Sequence, residues 1–292
     1  MKFYSTVFRP VLIIFGIVSI LSSCASLPKQ DPNQEEWQDL FNGKDLSDWD
    51  IKIRGHKLNE NFKNTFVVRD GVLAVDYKEY DKYNETFGHL FHKESFSYYR
   101  LHTEYRFIGE QANEGPGWAL RNNGLMLHSQ SAASMGLDQD FPISIEVQLL
   151  GGTGSGARST ANLCTPGTNV VMKGGLFEPH CVNSTSKTYH GDRWVTVDVI
   201  VLGDSLVTHI VEGETVLQYT HPQIGGGNVG GYDTNQKKDG KALTQGYIAI
   251  QGESHPTEFR KIQVLNLEGC MDKKAKNYKS YFVSHNQSDC KY

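Results

Sequence analysis

The sequence predicts an all-β protein, two antiparallel sheets packed face to face as a jelly-roll sandwich. Apolar residues recur at every second position in one segment after another, and Gly, Asn and Asp turn signals separate those segments. No stretch carries the spacing of an amphipathic helix. Many short strands in one long chain are a sandwich pattern.

The segments follow in order. Residues 66–68 and 72–75 flank Arg69-Asp70-Gly71, and Asp-Gly between apolar runs signals a hairpin. Tyr99, Leu101, Thr103, Tyr105 and Phe107 alternate with Arg100, His102, Glu104 and Arg106. Asn122-Asn123-Gly124 leads into a short strand at residues 125–128, which ends in His128. Ile143, Ile145, Val147 and Leu149 then alternate with Ser144, Glu146, Gln148 and Leu150. Strands follow at 194–201, 206–211 and 215–219, the last two joined through Gly213, and then at 247–251 and 259–267. His209 and His221 are expected on solvated strand faces.

The first residues read as an export signal rather than as fold. Lys2 and Arg9 precede an apolar run at 11–20, too short to span a bilayer, and small residues lead to Cys24. Leu21-Ser22-Ser23-Cys24 resembles the bacterial lipobox, whose cysteine becomes the lipidated first residue. That implies residence in the bacterial cell envelope, facing the periplasm or the exterior, with the membrane as a partner through the anchor. Residues 1–24 are therefore assigned to the signal, and the polar, Pro-containing 25–36 to a tether. If Cys24 of the five cysteines takes lipid, Cys164, Cys181, Cys270 and Cys290 remain, and in an exported protein disulfides are expected. Local pairing, Cys164 with Cys181 and Cys270 with Cys290, is preferred among the possible connectivities. The net charge of −4, with no basic stripe, argues against a nucleic-acid partner.

Two regions point to chemistry. Glu146 and Gln148 lie two apart on the polar face of their strand, near His128, where ordinary sandwich strands carry Ser, Thr or Lys. The alternative is a plain solvated face. Residues 151–191, glycine-rich and bracketing Cys164 and Cys181, are too long for an ordinary connection and read as a pocket wall held by a disulfide, or as a surface excursion. Residues 268–292 resemble a small Cys-bracketed repeat of exported bacterial proteins, and a structural cap is expected there.

A longer resemblance covers residues 37–267. Leu40-Phe41-Asn42-Gly43-Lys44-Asp45-Leu46 with Trp49, then residues 66–73 (FVVRDGVL), Tyr105-Arg106, Asn123-Gly124-Leu125 and Ile145-Glu146-Val147-Gln148 carry it. It continues through residues 188–194 (TYHGDRW), Gly246-Tyr247-Ile248 and Phe259-Arg260-Lys261-Ile262. These resemble the "domain of unknown function 1080" family, described as 3-keto-glucoside 1,2-lyase and 3-keto-2-hydroxyglucal hydratase, or 3-keto-disaccharide hydrolase. Two departures stand out: Asn122-Asn123-Gly124 replaces Asn-Ser-Gly, and Ser144 replaces an aromatic. The resemblance implies a concanavalin A-like sandwich acting on an oxidised oligosaccharide or glycoside, with no organic cofactor.

Two chemistries compete. A retaining glycosidase needs two carboxyls about 5–5.5 Å apart. On one strand the neighbour of Glu146 at such a separation is Gln148, an amide, so two-carboxylate hydrolysis needs a second acid from elsewhere. Elimination asks for less. A C3 ketone acidifies the C2 proton, so a base, a stabiliser for the enolate oxygen and an acid for the leaving oxygen suffice. Glu146 is the expected base, or alternatively a metal ligand. His128 and His190 are candidates for the acid or for metal ligands, and Gln148 and Asn123 for holding hydroxyls. A divalent ion could serve as Lewis acid, although no paired-His spacing fixes a site for it.

Gln251, Glu253, His255, Arg260 and Arg106 are candidate pocket residues, and Trp118 or Trp194 could stack a sugar ring. A strand-end ion pair between Arg260 and Glu253 or Glu258 is the simpler reading for that arginine. Trp194 suits the core better, since an alternating strand follows it at once. Three functions are carried forward: 3-keto-glycoside cleavage, a non-catalytic carbohydrate-binding lipoprotein, and a conventional β-glucan hydrolase.

Overall fold

In the computed structural model, which describes residues 1–3 and 31–292, two large antiparallel sheets form the sandwich. Cys24, the apolar run before it and residues 25–30 of the expected tether lie outside the described residues. The smaller sheet orders its strands Cys181–Val182, Asn162–Cys164, Ile145–Leu150, Asn122–Ser129, Gly246–Gly252, Gly88–Phe96 and Trp49–Ile53. The larger runs Gly175–Phe177, Thr168–Met172, Glu214–Ile224, Leu206–Val211, Val195–Leu202, Tyr98–Phe107, Thr257–Asn266, Val72–Val75 and Phe66–Arg69. Gln38–Asp39 adds to its Thr257–Asn266 strand.

Side-chain alternation decides which face meets the core. In Val195–Leu202, buried Val195, Val197, Val199 and Val201 alternate with half-buried neighbours, and Tyr98–Phe107 repeats the pattern. Their register pairs Val197 with Thr103 and Val199 with Leu101. From the smaller sheet Leu125, Leu127, Ile145, Val147, Leu149, Ile248 and Ile250 meet them in one apolar cluster. Each such side chain contributes about 1.5–3 kcal/mol on burial. The Asp70-Gly71 turn forms as expected, with φ of +51° and +77°, the conformation a tight hairpin requires.

Residues 151–191 are more ordered than a loop. Asn162–Cys164 extends the smaller sheet beside Ile145–Leu150, and Thr168–Met172 joins the larger sheet beside Glu214–Ile224. Leu163 and Val170 drive this by entering the core. The excursion thus stitches the two sheets together, and Cys164–Cys181 bridges its paired strands.

His209 corrects an expectation. It is fully buried, with Nδ1 at 2.9 Å from the Ala161 carbonyl and Nε2 at 3.0 Å from the Tyr219 hydroxyl. It lies two residues from core Val207 and Val211 and opposite core Val199, so the strand's own alternation turns it inward.

At the other end, Cys270–Cys290 closes the tail, where Glu268–Gly269 pairs with Ser284–His285. The tail also fastens residues 31–36, which are therefore not a free tether. Ser280 N–H donates to the Pro32 carbonyl at 2.9 Å, and buried Lys279 meets Glu36 at 2.5 Å.

Candidate active site

The outer face of the smaller sheet holds a cavity of about 540 Å³. Glu146, Gln148, Asn122 and Glu253 form its polar floor. Trp118 and Phe141 line it, as do Pro166, His180, Val229 and the Cys164–Cys181 bridge. Strand pairing explains the floor. Glu146 stands opposite Met126 on one side and Cys164 on the other, and Gln148 opposite Gly124 and Asn162. The alternation that sends Ile145, Val147 and Leu149 into the core sends both polar residues outward.

The two acids are buried and close enough to feel each other. Glu146 is 5 % and Glu253 3 % exposed, and no hydrogen bond holds the Glu146 carboxyl among the described residues. Burial pushes the Glu146 carboxyl up to about 8. Burial likewise raises Glu253 well above the carboxylate range, and the Glu146 charge raises it further. Its Oε2 has no partner. Two carboxyls so placed resist ionising together: Glu146 gives up its proton first, at about pH 8, and Glu253 keeps its own beyond that.

Gly124 makes room for this. A Cβ there would lie 2.6 Å from Glu146 Oε1 and 3.0 Å from Gln251 Oε1, so only glycine leaves space for both side chains. Gln251 is itself fully buried, with neither amide atom partnered. Asn122 Oδ1 is buried and unpartnered too. Gln148 Oε1 accepts from Asn162 Nδ2 at 3.1 Å.

One wall is aromatic. Trp118, 56 % exposed, stacks on Phe87 at 6.2 Å and 18°, and Phe87 packs on Phe141 at 4.8 Å. Another part of the lining is tied down. Asp140 Oδ1 accepts from Gly230 N–H at 2.8 Å, holding the glycine-rich 225–231 segment that carries Val229 to the cavity. A second hollow, of about 320 Å³, lies beside Arg69, Asp76 and Tyr77. It carries the Arg69–Asp76 ion pair, and its other acid, Glu110, is exposed, so it holds no comparable pair of buried acids.

Glu146, Gln148, Glu253 and Trp118 therefore share the cavity, with Gln251 beneath Glu146. The other candidates do not reach it. His128 points inward, its Nε2 at 3.0 Å from the Gly203 carbonyl and its ring edge-on to Tyr99. Its φ of +47° and the register shift across Tyr247/Ala249 break the alternation that would have kept it outside. His190 sits at the rim of the glycine loop, bridged to Gly152, and its Nδ1 accepts from Gly154 N–H at 3.2 Å.

Arg106 and Arg260 lie on the outer face of the larger sheet, against Glu258 and Glu104 respectively. They stack on Trp194 at 4.6 Å and 4.7 Å, so that tryptophan is clasped by two guanidiniums rather than buried in the core. Asn123 is a clamp between strands. Its amide donates to the Gln251 carbonyl at 2.5 Å and its Oδ1 accepts from Gly124 N–H at 2.8 Å. His255 is buried edge-on to Phe107, where burial and the Arg121 charge lower it to about 4. Asn122, Asp140, Phe141, His180 and Val229 line the cavity without having been singled out in the sequence.

A divalent ion has no evident cage. Among the described residues, the one group of three His, Cys, Asp or Glu donors near enough to share an ion is Cys164, His180 and Cys181. Its two sulfurs are spent in the disulfide. This donor set does not fit an ion held by protein ligands.

The pattern of the 3-keto-alpha-glucoside-1,2-lyase-like domain family matches residues 36–265. The chain belongs to that family. Among solved structures it is similar to a candidate glycosyl hydrolase from Parabacteroides distasonis ATCC 8503, at 15% identity and TM-score 0.47. That match covers 80% of this chain and 100% of the other. A second such protein from the same organism gives 16% and 0.46, covering 79% and 94%. A Bacillus licheniformis beta-glucanase gives 11% and 0.42, covering 81% and 99%. No curated protein matches the chain.

Trp118 offers a direct probe of the aromatic wall. Trp118→Ala is expected to raise KM for a glycoside substrate roughly tenfold, about the value of one stacked ring, with kcat little changed. Steady-state kinetics check this, and an unchanged KM would remove Trp118 from the binding surface.

Proposed function

We propose that this protein cleaves 3-keto-glycosides by elimination across C1–C2 followed by hydration. The observation that carries the reading is the pair of buried acids, Glu146 and Glu253, at one end of a half-apolar cavity. Once Glu146 ionises, with Glu253 still protonated, they supply a base and an acid together, and the environment that pushes their titrations apart assigns the roles. Glu253 is the more strongly raised, with the Glu146 charge adding to its burial, so it keeps the proton as general acid. Glu146 is the base.

Glu146 removes the C2 proton, acidified by the C3 ketone. Glu253 protonates the oxygen leaving C1, and a 2-hydroxy enone remains. In the second half Glu253 takes a proton from water as the oxygen adds to C1, and Glu146 returns the proton to C2. Asn122 and Gln148 are available for the sugar hydroxyls, and Trp118 for a ring face.

Incubating residues 25–292 with a 3-keto-glucoside and with the parent glucoside tests the reading, with aglycone release as the signal. Release from the keto substrate alone is expected. Release from both would favour a second reading that the acid pair also supports, direct two-carboxylate hydrolysis. Sugar binding without release from either would leave a carbohydrate-binding module.

We also propose that Cys24 carries lipid and holds the protein at the bacterial cell envelope. Among the described residues no helix is long and apolar enough to cross a membrane, and the reading rests on the 1–24 sequence alone. Cys24→Ser is expected to abolish incorporation of radiolabelled fatty acid and to release the protein from the membrane fraction. Undiminished labelling would place the lipid elsewhere or rule it out.

A further inference from the structure

We propose that His180 is a third catalytic residue of this cavity, donating a hydrogen bond to the C3 oxygen as the enolate forms. This rests on the 3-keto-glycoside reading above. Elimination places negative charge on that oxygen, and neither acid can stabilise it. Glu146 is occupied at C2 and Glu253 at the leaving oxygen, and an ionised carboxylate would repel an enolate. A donor is needed, and it has to be held in place before the charge appears.

His180 meets both conditions. It lines the cavity, and no hydrogen bond within the protein occupies its Nδ1, so the ring keeps a polar nitrogen uncommitted to the fold. No other imidazole among the described residues lines the cavity. Burial holds the ring below its usual titration, so it is neutral at pH 7. A neutral imidazole can donate to an enolate without protonating it outright.

Its backbone is fixed twice. The His180 carbonyl accepts from Thr165 N–H at 2.9 Å and from the Thr165 hydroxyl at 3.1 Å, and the next residue, Cys181, is bonded to Cys164. Cys164 is the strand partner of Glu146, and a His180 ring nitrogen lies within 4.8 Å of the bridge sulfurs. The disulfide therefore ties the donor to the strand that carries the base. It is a positioning device for His180.

The electrons balance. The Glu146 carboxylate takes the C2 proton, the C2–H pair forms C2=C3, and the carbonyl pair moves onto the C3 oxygen, which accepts from His180. That pair then returns to remake C3=O while the C2=C3 pair shifts to C1=C2. The C1–O bond breaks toward the leaving oxygen, which takes the proton from Glu253.

The test runs wild type, His180→Ala and His180→Gln on a 3-keto-glucoside in deuterated water, following aglycone release and deuterium uptake at C2. His180→Ala is expected to lower kcat by about 10²–10³-fold with KM nearly unchanged, and to lower C2 exchange in parallel. His180→Gln, which keeps an N–H donor, should recover part of both. A wild type inert toward the keto substrate would overturn the parent reading. An active wild type with kcat and exchange unaltered in His180→Ala would overturn this inference alone. Should His180→Ala fail to fold, a His180→Gln variant with kcat and exchange equal to wild type overturns it, and one that loses part of both supports it.

Discussion

Glu146→Gln is expected to lower aglycone release from a 3-keto-glycoside by about 10²–10⁴-fold while leaving substrate affinity nearly intact. The amide keeps the shape of the side chain and the fit over Gly124, but it cannot take a proton. Glu253→Gln should lower release as well, and in a distinguishable way. With Glu146 present the C2 proton can still leave, so exchange of C2 with solvent deuterium should persist in Glu253→Gln and vanish in Glu146→Gln. An activated leaving group such as a nitrophenol needs little acid help and should rescue Glu253→Gln alone. If the activated substrate rescued Glu146→Gln instead, the two roles would have to be exchanged. If both variants kept wild-type rates, the acid pair would not be the reacting centre.

Much of this site was legible in the sequence, and the part that was not has a physical cause. The period of two placed Glu146 and Gln148 on one face, because a strand offers its side chains only two directions. The same rule brought Glu253 into consideration through Gln251. It failed where the backbone broke step. His128 sits at positive φ beside a register shift, so a residue counted as outward turns toward Tyr99. A shift at Phe259/Lys261 likewise interrupts the strand that carries Arg260. Bulges insert a residue without an obligatory sequence mark. The two-carboxylate objection failed for another reason. It looked along one strand for a partner of Glu146, whereas the partner comes from across the sheet, just beyond Gly246–Gly252. Sequence spacing carries no information about which strands become neighbours. The disulfide pairs were legible, since each closes locally, but the importance of His180 was not. That residue stands out only once Cys181 is seen to be bonded to Cys164, the strand partner of Glu146.

The acid pair also predicts how stability depends on pH. The folded-state titration of Glu146, raised by burial to about 8, lies above the unfolded glutamate value of about 4.3. A carboxyl raised in this way stabilises the fold, relative to the unfolded chain, only while it is protonated. Its contribution is complete below the unfolded value and is lost as pH climbs through the folded one. Between about pH 4.3 and 8 the unfolded chain releases this proton while the folded chain retains it, so the fold loses stability across that interval. Glu146→Gln removes the titration. Wild type and variant should therefore melt close together at pH 5. At pH 8 the variant should melt higher, by on the order of 5–10 °C for a domain of this size. Calorimetry at the two pH values decides it, and a constant difference in Tm would mean that Glu146 does not titrate between them. The amide variant should thus be the more stable protein and the less active one, because the desolvation that raises the carboxyl is the same feature that fits the acid pair for proton transfer. A stable, inactive Glu146→Gln would link the two predictions in one molecule.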